Sequence, residues 1–186
     1  GGAERQVSAS GSHVAWAADS SSLLIRDREG DAGPFGIYQV FLDTLERRRL
    51  TQAPVGAGDW RFEVSPDGRT LAFIRYEREG IADLYVLPML GGGEPRRLSN
   101  WNATLTGLSW TADGREIVYS VEGPTASRLW RIDSNSAAPN RGSPLTDIPV
   151  SADNPSISRP MPGQPARLAF QSITRDVDIH LMDLDS

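Results

Sequence analysis

Apolar residues come in short consecutive runs along the chain, and turn-forming residues separate these runs. Clear examples are residues 71–74, 117–119 and 168–170, where no polar side chain interrupts the run. A strand with one solvated face alternates between apolar and polar residues, whereas a strand covered on both faces is apolar throughout. The pattern therefore predicts short β-strands in sheets that are covered on both faces.

These runs belong to a sequence repeat. Residues 64–74 align without a gap with residues 110–120, and the same register recovers residues 16–25 and a looser copy over 157–170. The starting positions 16, 64, 110 and 157 are 48, 46 and 47 residues apart. A period of this length indicates that each copy is one supersecondary unit, stacked on its neighbours to bury a shared core.

Each unit contains four predicted strands, named a to d in chain order. Asp-Gly at 67–68 and 113–114 separates strands a and b. An Asp side chain bonds to its own backbone and Gly accepts a positive φ, so tight hairpin turns are predicted there. In the first copy Asp19 precedes Ser20 instead of Gly, and in the fourth copy residues 160–163 replace the Asp-Gly turn. Strand c follows at 37–40, 84–87, 129–132 and 179–182, and strand d at 48–51, 96–99 and 143–146.

Four-stranded units of this length, packed face to face around an axis, form the blades of a β-propeller. The predicted fold class is therefore all-β: a β-propeller of four-stranded antiparallel blades, with four blades' worth of strands in a single domain over residues 1–186. The predicted blades cover 14–51, 61–99, 107–146 and 155–184, and residues 4–8 are a candidate closing strand. Three arrangements stay open: a closed four-bladed monomer, an open arc of a larger propeller, and a homodimer of two arcs.

The repeat motifs resemble those of a known family. Ser65-Pro66-Asp67-Gly68, the strand at 84–87 and the Gly-Gly-x-x-x-Arg-Leu end at 92–98 are similar to TolB-like, WD-type propeller repeats. More narrowly, residues 48–159 resemble the C-terminal propeller of CadC-like winged-helix bacterial transcriptional regulators. That resemblance implies a noncatalytic sensory or interaction domain in a bacterial, membrane-anchored parent with the propeller in the periplasm. The alternative is the accessory propeller of a serine peptidase, which gates substrate access to a catalytic domain elsewhere.

Composition narrows the classes of function. The chain has 24 acidic and 19 basic side chains, for a formal net charge of −5, which argues against direct nucleic acid binding by these residues. It has no Cys, and therefore neither disulfides nor thiolate metal ligands. No apolar run approaches the roughly 20 residues of a membrane-spanning helix, so membrane insertion by this chain is not expected.

No catalytic residue, cofactor site or metal site is predicted, and the chain is not expected to be an enzyme. The Gly-x-Ser-x-Gly motif of a nucleophile elbow does not occur in the sequence. His13 and His180 fall at unrelated repeat positions, which gives no set of metal ligands. Asp19, Asp67 and Asp113 recur at one repeat position, which indicates a structural role in the turn.

Candidate binding residues lie in the loops. In the propellers that the chain resembles, the b–c and d–a loops share one face around the axis, where functional residues tend to lie. Trp60, Tyr76 and Trp101 are aromatic residues in otherwise polar loops, with Glu77 and Arg78 close in sequence. Such a mixture is enriched in binding hot spots, so these five residues are candidates for contact with a protein, peptide or small ligand. The alternative for an exposed loop Trp is a packing role over the core.

Overall fold

All regular elements in the described part of the chain are β-strands. The structure, a computed structural model, describes residues 6–7, 12–30, 32–91, 93–148 and 151–172. Apart from residues 6 and 7, the predicted closing strand at 4–8 lies outside the described residues, as does the predicted strand at 179–182. The described ranges contain no helix with the length and hydropathy that a membrane span requires.

The strands form antiparallel sheets in which neighbours in sequence are hydrogen-bonded, one sheet for each predicted blade. Three sheets have four strands each, and two strands of the fourth are described. The all-β propeller class is thereby confirmed.

Blade 1 consists of β1 (Val14–Trp16), β2 (Ser22–Asp27), β3 (Gly36–Phe41) and β4 (Arg47–Arg49). Blade 2 consists of β5 (Gly58–Val64), β6 (Thr70–Arg78), β7 (Ile81–Pro88) and β8 (Arg96–Arg97). Blade 3 consists of β9 (Leu105–Trp110), β10 (Glu116–Val121), β11 (Arg128–Asp133) and β12 (Ser143–Pro144), and blade 4 of β13 (Asp153–Ile157) and β14 (Leu168–Gln171).

The hairpin between the first two strands of a blade has the geometry that its residues predict. Asp67 Oδ1 accepts a hydrogen bond from the backbone N–H of Arg69 at 3.0 Å, and Gly68 between them has a φ of 74°. Hydrogen bonds from the Ser65 hydroxyl and from that N–H hold the pKa of Asp67 below its ordinary value. In blade 1 the corresponding residue, Ser20, takes the same left-handed conformation with a φ of 58°. The turn is therefore kept where the sequence departs from Asp-Gly.

Consecutive apolar residues in the second strand face two different blades. In β6, Leu71 and Phe73 join the cluster that blade 2 forms with blade 1, whereas Ala72 and Ile74 join the cluster that it forms with blade 3. All four side chains are 0% exposed. Because burying a large apolar side chain contributes about 1.5–3 kcal/mol, the interfaces between blades hold much of the hydrophobic core.

The first strand of each blade is the innermost, and residues in or next to β1, β5, β9 and β13 line one cavity of about 320 Å³. Successive innermost strands are linked at one repeat position. The backbone N–H of Trp110 donates to Glu63 Oε2 at 2.9 Å, and that of Ile157 donates to Ser109 Oγ at 3.1 Å. Burial raises the pKa of Glu63. A polar side chain on one blade thus accepts a hydrogen bond from the backbone of the next.

Candidate functional site

A cleft of about 710 Å³ opens where the loops of blades 1, 2 and 3 meet. Its walls come from the b–c and d–a loops and from the ends of β5 and β6 next to them. A volume in this range suits a small molecule or a few residues of a peptide. The side chains that line this loop-face cleft include Phe35, Trp60, Tyr76, Arg78, Thr104 and Glu122.

Trp60 and Tyr76 form an aromatic wall in the cleft. Their rings make an edge-to-face contact with centroids 5.8 Å apart. Tyr76 Oη donates a hydrogen bond to the backbone oxygen of Leu105 at 2.7 Å, which orients the ring, and burial raises the pKa of Tyr76. Trp60 is 44% exposed, so its ring keeps a large apolar surface for a ligand.

A buried ion pair holds the strand end that carries Trp60. Arg75 Nε lies 2.6 Å from Asp59 Oδ1 and Arg75 Nη2 lies 3.0 Å from Asp59 Oδ2, and both residues are buried. The pairing of β5 with β6 shifts register between Asp59 and Phe62, and such a bulge changes the direction of the intervening side chains. Trp60 lies inside this shift and lines the cleft.

Arg26 lies behind the aromatic wall, between two rings. Its guanidinium carbon is 3.7 Å from the ring centroid of Phe35 and 3.7 Å from that of Trp60. Arg26 is only 6% exposed. Its Nη1 donates to Ser12 Oγ at 2.7 Å, whereas its Nε has no hydrogen-bond partner among the described residues. Two rings that line the cleft therefore contact a buried cation that does not itself line it.

Arg26 and Phe35 are not among the five sequence candidates. The repeat register does contain a signal for Arg26, because this position aligns with Ile74 and Ser120 in the next two copies. A charged residue thus stands where the other blades have an apolar or a small residue. For Phe35 the sequence contains no comparable signal, since it lies in a loop whose length varies between the copies.

The structure brings three of the five sequence candidates together. Trp60, Tyr76 and Arg78 all line the cleft. Glu77 is exposed at the end of β6, where the pairing with β7 shifts register between Tyr76 and Arg78, and it is not among the lining residues. Trp101 lies outside the cleft.

Trp101 is half-buried over the core between blades 2 and 3. Its backbone N–H donates to Asp83 Oδ1 at 2.6 Å, and its Nε1 donates to Tyr119 Oη at 2.8 Å. Its ring makes an edge-to-face contact with Trp130 at 4.6 Å. These contacts indicate that Trp101 packs over the core, which was the alternative for an exposed loop Trp. Partner binding by Trp101 stays a prediction.

The residues that the structure describes contain no group of three or more histidine or carboxylate side chains that could hold a metal ion. His13 instead lines the cavity between the innermost strands. Its ring contacts Phe62 edge-on at 4.6 Å, and burial lowers its pKa. His180 lies outside the described residues.

Comparison with known proteins identifies the fold. No protein-family model matches the chain. The chain is similar to TolB from Acinetobacter baumannii, with a TM-score of 0.63 and 20% identity over 86% of this chain and 40% of that one. It is also similar to a putative TolB from Agrobacterium tumefaciens, with a TM-score of 0.67 and 22% identity over 91% of this chain and 56% of that one. The fold is a TolB-like β-propeller.

Other similarities cover smaller parts. An 88-residue stretch is 35% identical to tricorn protease homolog 1 of Streptomyces coelicolor, over 46% of this chain and 8% of that protein. An oligogalacturonate lyase solved in complex with manganese has a TM-score of 0.52 and 22% identity, over 72% of this chain and 39% of that one. The chain spans 40–56% of the two TolB chains. The resemblance to winged-helix regulators stays a prediction.

Proposed function

We propose that this TolB-like chain is a noncatalytic binding module whose loop-face cleft takes a peptide, a protein segment or a small ligand. The observation that supports this proposal is the aromatic wall of Trp60 and Tyr76, which is exposed to the cleft and fixed from behind. Tyr76 is held by its hydrogen bond to Leu105, and the strand that carries Trp60 is held by the ion pair of Arg75 with Asp59.

Such a site binds by presenting a surface that is already in place. Aromatic side chains have few rotatable bonds, and these two are oriented before a ligand arrives. A ligand therefore does not have to order them, and less of its interaction free energy is lost on binding. Three successive blades contribute residues to this cleft. The stacking of the blades therefore sets the width of the cleft.

Two parent proteins fit a module of this kind. The proposal that we favour is the sensory or interaction domain of a bacterial transcriptional regulator, and it rests on the resemblance of residues 48–159. The second is an accessory propeller that gates substrate access to a serine peptidase, and the 35% identity to a tricorn protease homolog favours it. A reading frame that encodes a winged helix and a membrane span would support the first, and one that encodes a peptidase domain would support the second.

Ligand binding in the cleft can be tested by NMR titration of the 15N-labelled chain. The probes are acetylated tripeptides with free C-terminal carboxylates and aromatic, aliphatic, acidic or basic side chains. At least one probe is expected to shift the Trp60 indole N–H resonance saturably, with the resonance assigned from a Trp60→Phe variant. Trp60→Ala should weaken that binding, followed in this variant through the backbone amide resonances of the cleft residues, by about tenfold or more, as truncation of a hot-spot residue does.

Trp16→Ala is the matched control, because Trp16 is 60% exposed and lies outside the cleft. This variant should bind the same probe as the unmodified chain does. If no probe shifts the Trp60 resonance, or if Trp60→Ala binds with unchanged affinity, the cleft is not the binding site.

A further inference from the structure

Blade 1 exposes apolar side chains at positions that are buried in the next two blades. Val14 and Trp16 of β1 are each 60% exposed. The repeat aligns Val14 with Phe62 of blade 2 and Leu108 of blade 3, which are 3% and 9% exposed. It aligns Trp16 with Trp110, which is 3% exposed. The innermost strand of blade 1 thus lacks a covering that the innermost strands of blades 2 and 3 have.

The exposed side chains of β1 face away from blade 2. Ala15, which lies between Val14 and Trp16, packs in the cluster that blade 1 forms with blade 2, and successive residues of a strand point to opposite faces. The aligned Phe62 and Trp110 each pack in the cluster that their blade forms with the blade before it. Val14 and Trp16 therefore mark the face on which a preceding blade would stack.

Hydrogen bonds also link each innermost strand to the one before it. Trp110 in blade 3 donates from its backbone N–H to Glu63 Oε2 at 2.9 Å and from its Nε1 to the Glu63 backbone oxygen at 3.0 Å. Ile157 in blade 4 donates from its backbone N–H to Ser109 Oγ at 3.1 Å. Donor and acceptor occupy the same two repeat positions in both links, which we call the donor position and the acceptor position.

Both ends of this series of links are exposed. Trp16 occupies the donor position of blade 1, and its side chain is exposed. Ser156 occupies the acceptor position of blade 4 and is also exposed, whereas Ser109 at that position in blade 3 is buried. If blade 4 stacked on blade 1 of the same chain, Trp16 and Ser156 would be buried against each other. The described blades therefore form an open arc with a donor face at one end and an acceptor face at the other.

Val7 shows that the outer face of blade 1 is a blade interface. It packs against a cluster formed by Ile25, Tyr38 and Val40. The sequence aligns Val7 with Leu98, which follows β8 and belongs to the cluster between blades 2 and 3. Val7 thus contacts blade 1 as a residue next to the last strand of one blade contacts the blade after it.

We propose that blade 4 of one copy of this chain stacks on blade 1 of a second copy, so that two arcs close into one ring. In each contact the backbone and indole N–H groups of Trp16 donate to the side chain and backbone oxygens of Ser156, as Trp110 donates to Glu63. Two copies of four blades give eight, which lies within the range of known propellers. The pairing buries both open faces twice, and a closed ring leaves neither exposed.

The pairing of two copies is independent of the loop-face cleft. The walls of that cleft come from blades 1, 2 and 3 of a single copy, and Trp16 and Ser156 are not among its lining residues. Loss of the dimer should therefore leave ligand binding in the cleft unchanged, and loss of cleft binding should leave the dimer intact.

The test measures the mass of the chain in solution by sedimentation over a range of concentrations. The unmodified chain should have twice the mass of one chain. Trp16→Glu should raise the dissociation constant by about a hundredfold or more, because it leaves an unpaired carboxylate in each contact. Trp16 is exposed in the single chain, so this variant should fold, and Val14→Glu takes its place if it does not. Trp60→Ala is the matched control, because Trp60 is also an exposed tryptophan but lies in the cleft, and it should stay dimeric.

Mixing two variants tests which faces meet. Ser156→Arg places a bulky charge on the acceptor face and should also give monomers. An equal mixture of the Ser156→Arg and Trp16→Glu chains should recover the dimer. In the mixed pair one contact keeps both original residues, and the other sets an arginine opposite a glutamate. A contact between two identical faces would not be restored in this way.

Three results would overturn the proposal. The first is an unmodified chain that stays monomeric up to about 1 mM. The second is a mass above that of the dimer, because a head-to-tail contact that does not close continues into longer assemblies. The third is a dimer that persists in both single variants or that mixing does not restore, since the two copies would then meet through other surfaces.

Discussion

Replacing Asp83 with alanine should destabilise the chain more than most single substitutions would. Asp83 is 1% exposed, and its carboxylate accepts three hydrogen bonds. The Ser99 hydroxyl and the Trp101 backbone N–H donate to Oδ1, each at 2.6 Å, and Arg97 Nη2 donates to Oδ2. The carboxylate thus ties the start of β7 to the loop that leads into blade 3. Thr104 in that loop lines the cleft.

The size of the stability loss depends on which of the three donors to Asp83 can find another acceptor. The Arg97 side chain is 33% exposed and also donates to Asn102 Oδ1 at 3.0 Å, so it can turn to water. The Ser99 hydroxyl and the Trp101 N–H have no such route, and each buried donor left unsatisfied costs about 1–3 kcal/mol. Together with the lost charge pairing, Asp83→Ala should lower the free energy of unfolding by about 3–5 kcal/mol. For a chain of this size that corresponds to a fall in Tm of about 6–20 °C.

Urea unfolding followed by tryptophan fluorescence measures this change. Asp83→Asn keeps one carbonyl acceptor and should lose about half as much stability. Asp133→Ala serves as the surface control, because Asp133 is exposed at the end of β11 and should change stability by less than about 1 kcal/mol. An Asp83→Ala variant within about 1 kcal/mol of the unmodified chain would show that the carboxylate does not anchor the loop.

Two further predictions concern buried titratable groups. Burial raises the pKa of Glu63, so Glu63→Gln, which keeps an acceptor for Trp110, should leave the free energy of unfolding at pH 7 unchanged or raise it by less than about 1 kcal/mol. The difference should shrink as the pH falls and Glu63 takes up its proton; a clear loss of stability at pH 7 would contradict this. Burial raises the pKa of Tyr119 to about 12 from 10.0, so the unfolded chain ionises first and stability should fall by about 2–3 kcal/mol as the pH rises between these values. Denaturant titrations at alkaline pH should show a smaller fall in Tyr119→Phe, and an equal fall would refute the assignment.

The candidate site could be predicted in part because its residues lie at the ends of predicted strands. The sequence assigned Trp60, Tyr76 and Arg78 to loops on one face; in the structure they lie in the adjoining ends of β5 and β6, and the cleft contains all three. Trp101 could not be assigned in the same way. Whether a loop tryptophan is exposed or covers the core depends on what lies under it, and here Tyr119 and Trp130 lie under it.

The sequence by itself determined the repeat, the four-stranded units and their hairpin turns. These features depend on interactions within a few residues, such as the bond from Arg69 N to Asp67 and the left-handed conformation of Gly68. Such interactions repeat with the motif and can be read from one copy. The consecutive apolar residues of β6 likewise predicted burial on both faces before any neighbouring blade was known.

Only the tertiary structure decided which side chains from different blades meet. Arg26 comes from β2, Phe35 from the loop after it and Trp60 from β5, and no local pattern relates the three. Their contact depends on how closely two blades stack and on the register shift that turns Trp60 toward the cleft. The environment of a buried charge is set by neighbours that are distant in sequence. The contacts of Arg26 with Phe35 and Trp60 could therefore be recognised only in the folded chain.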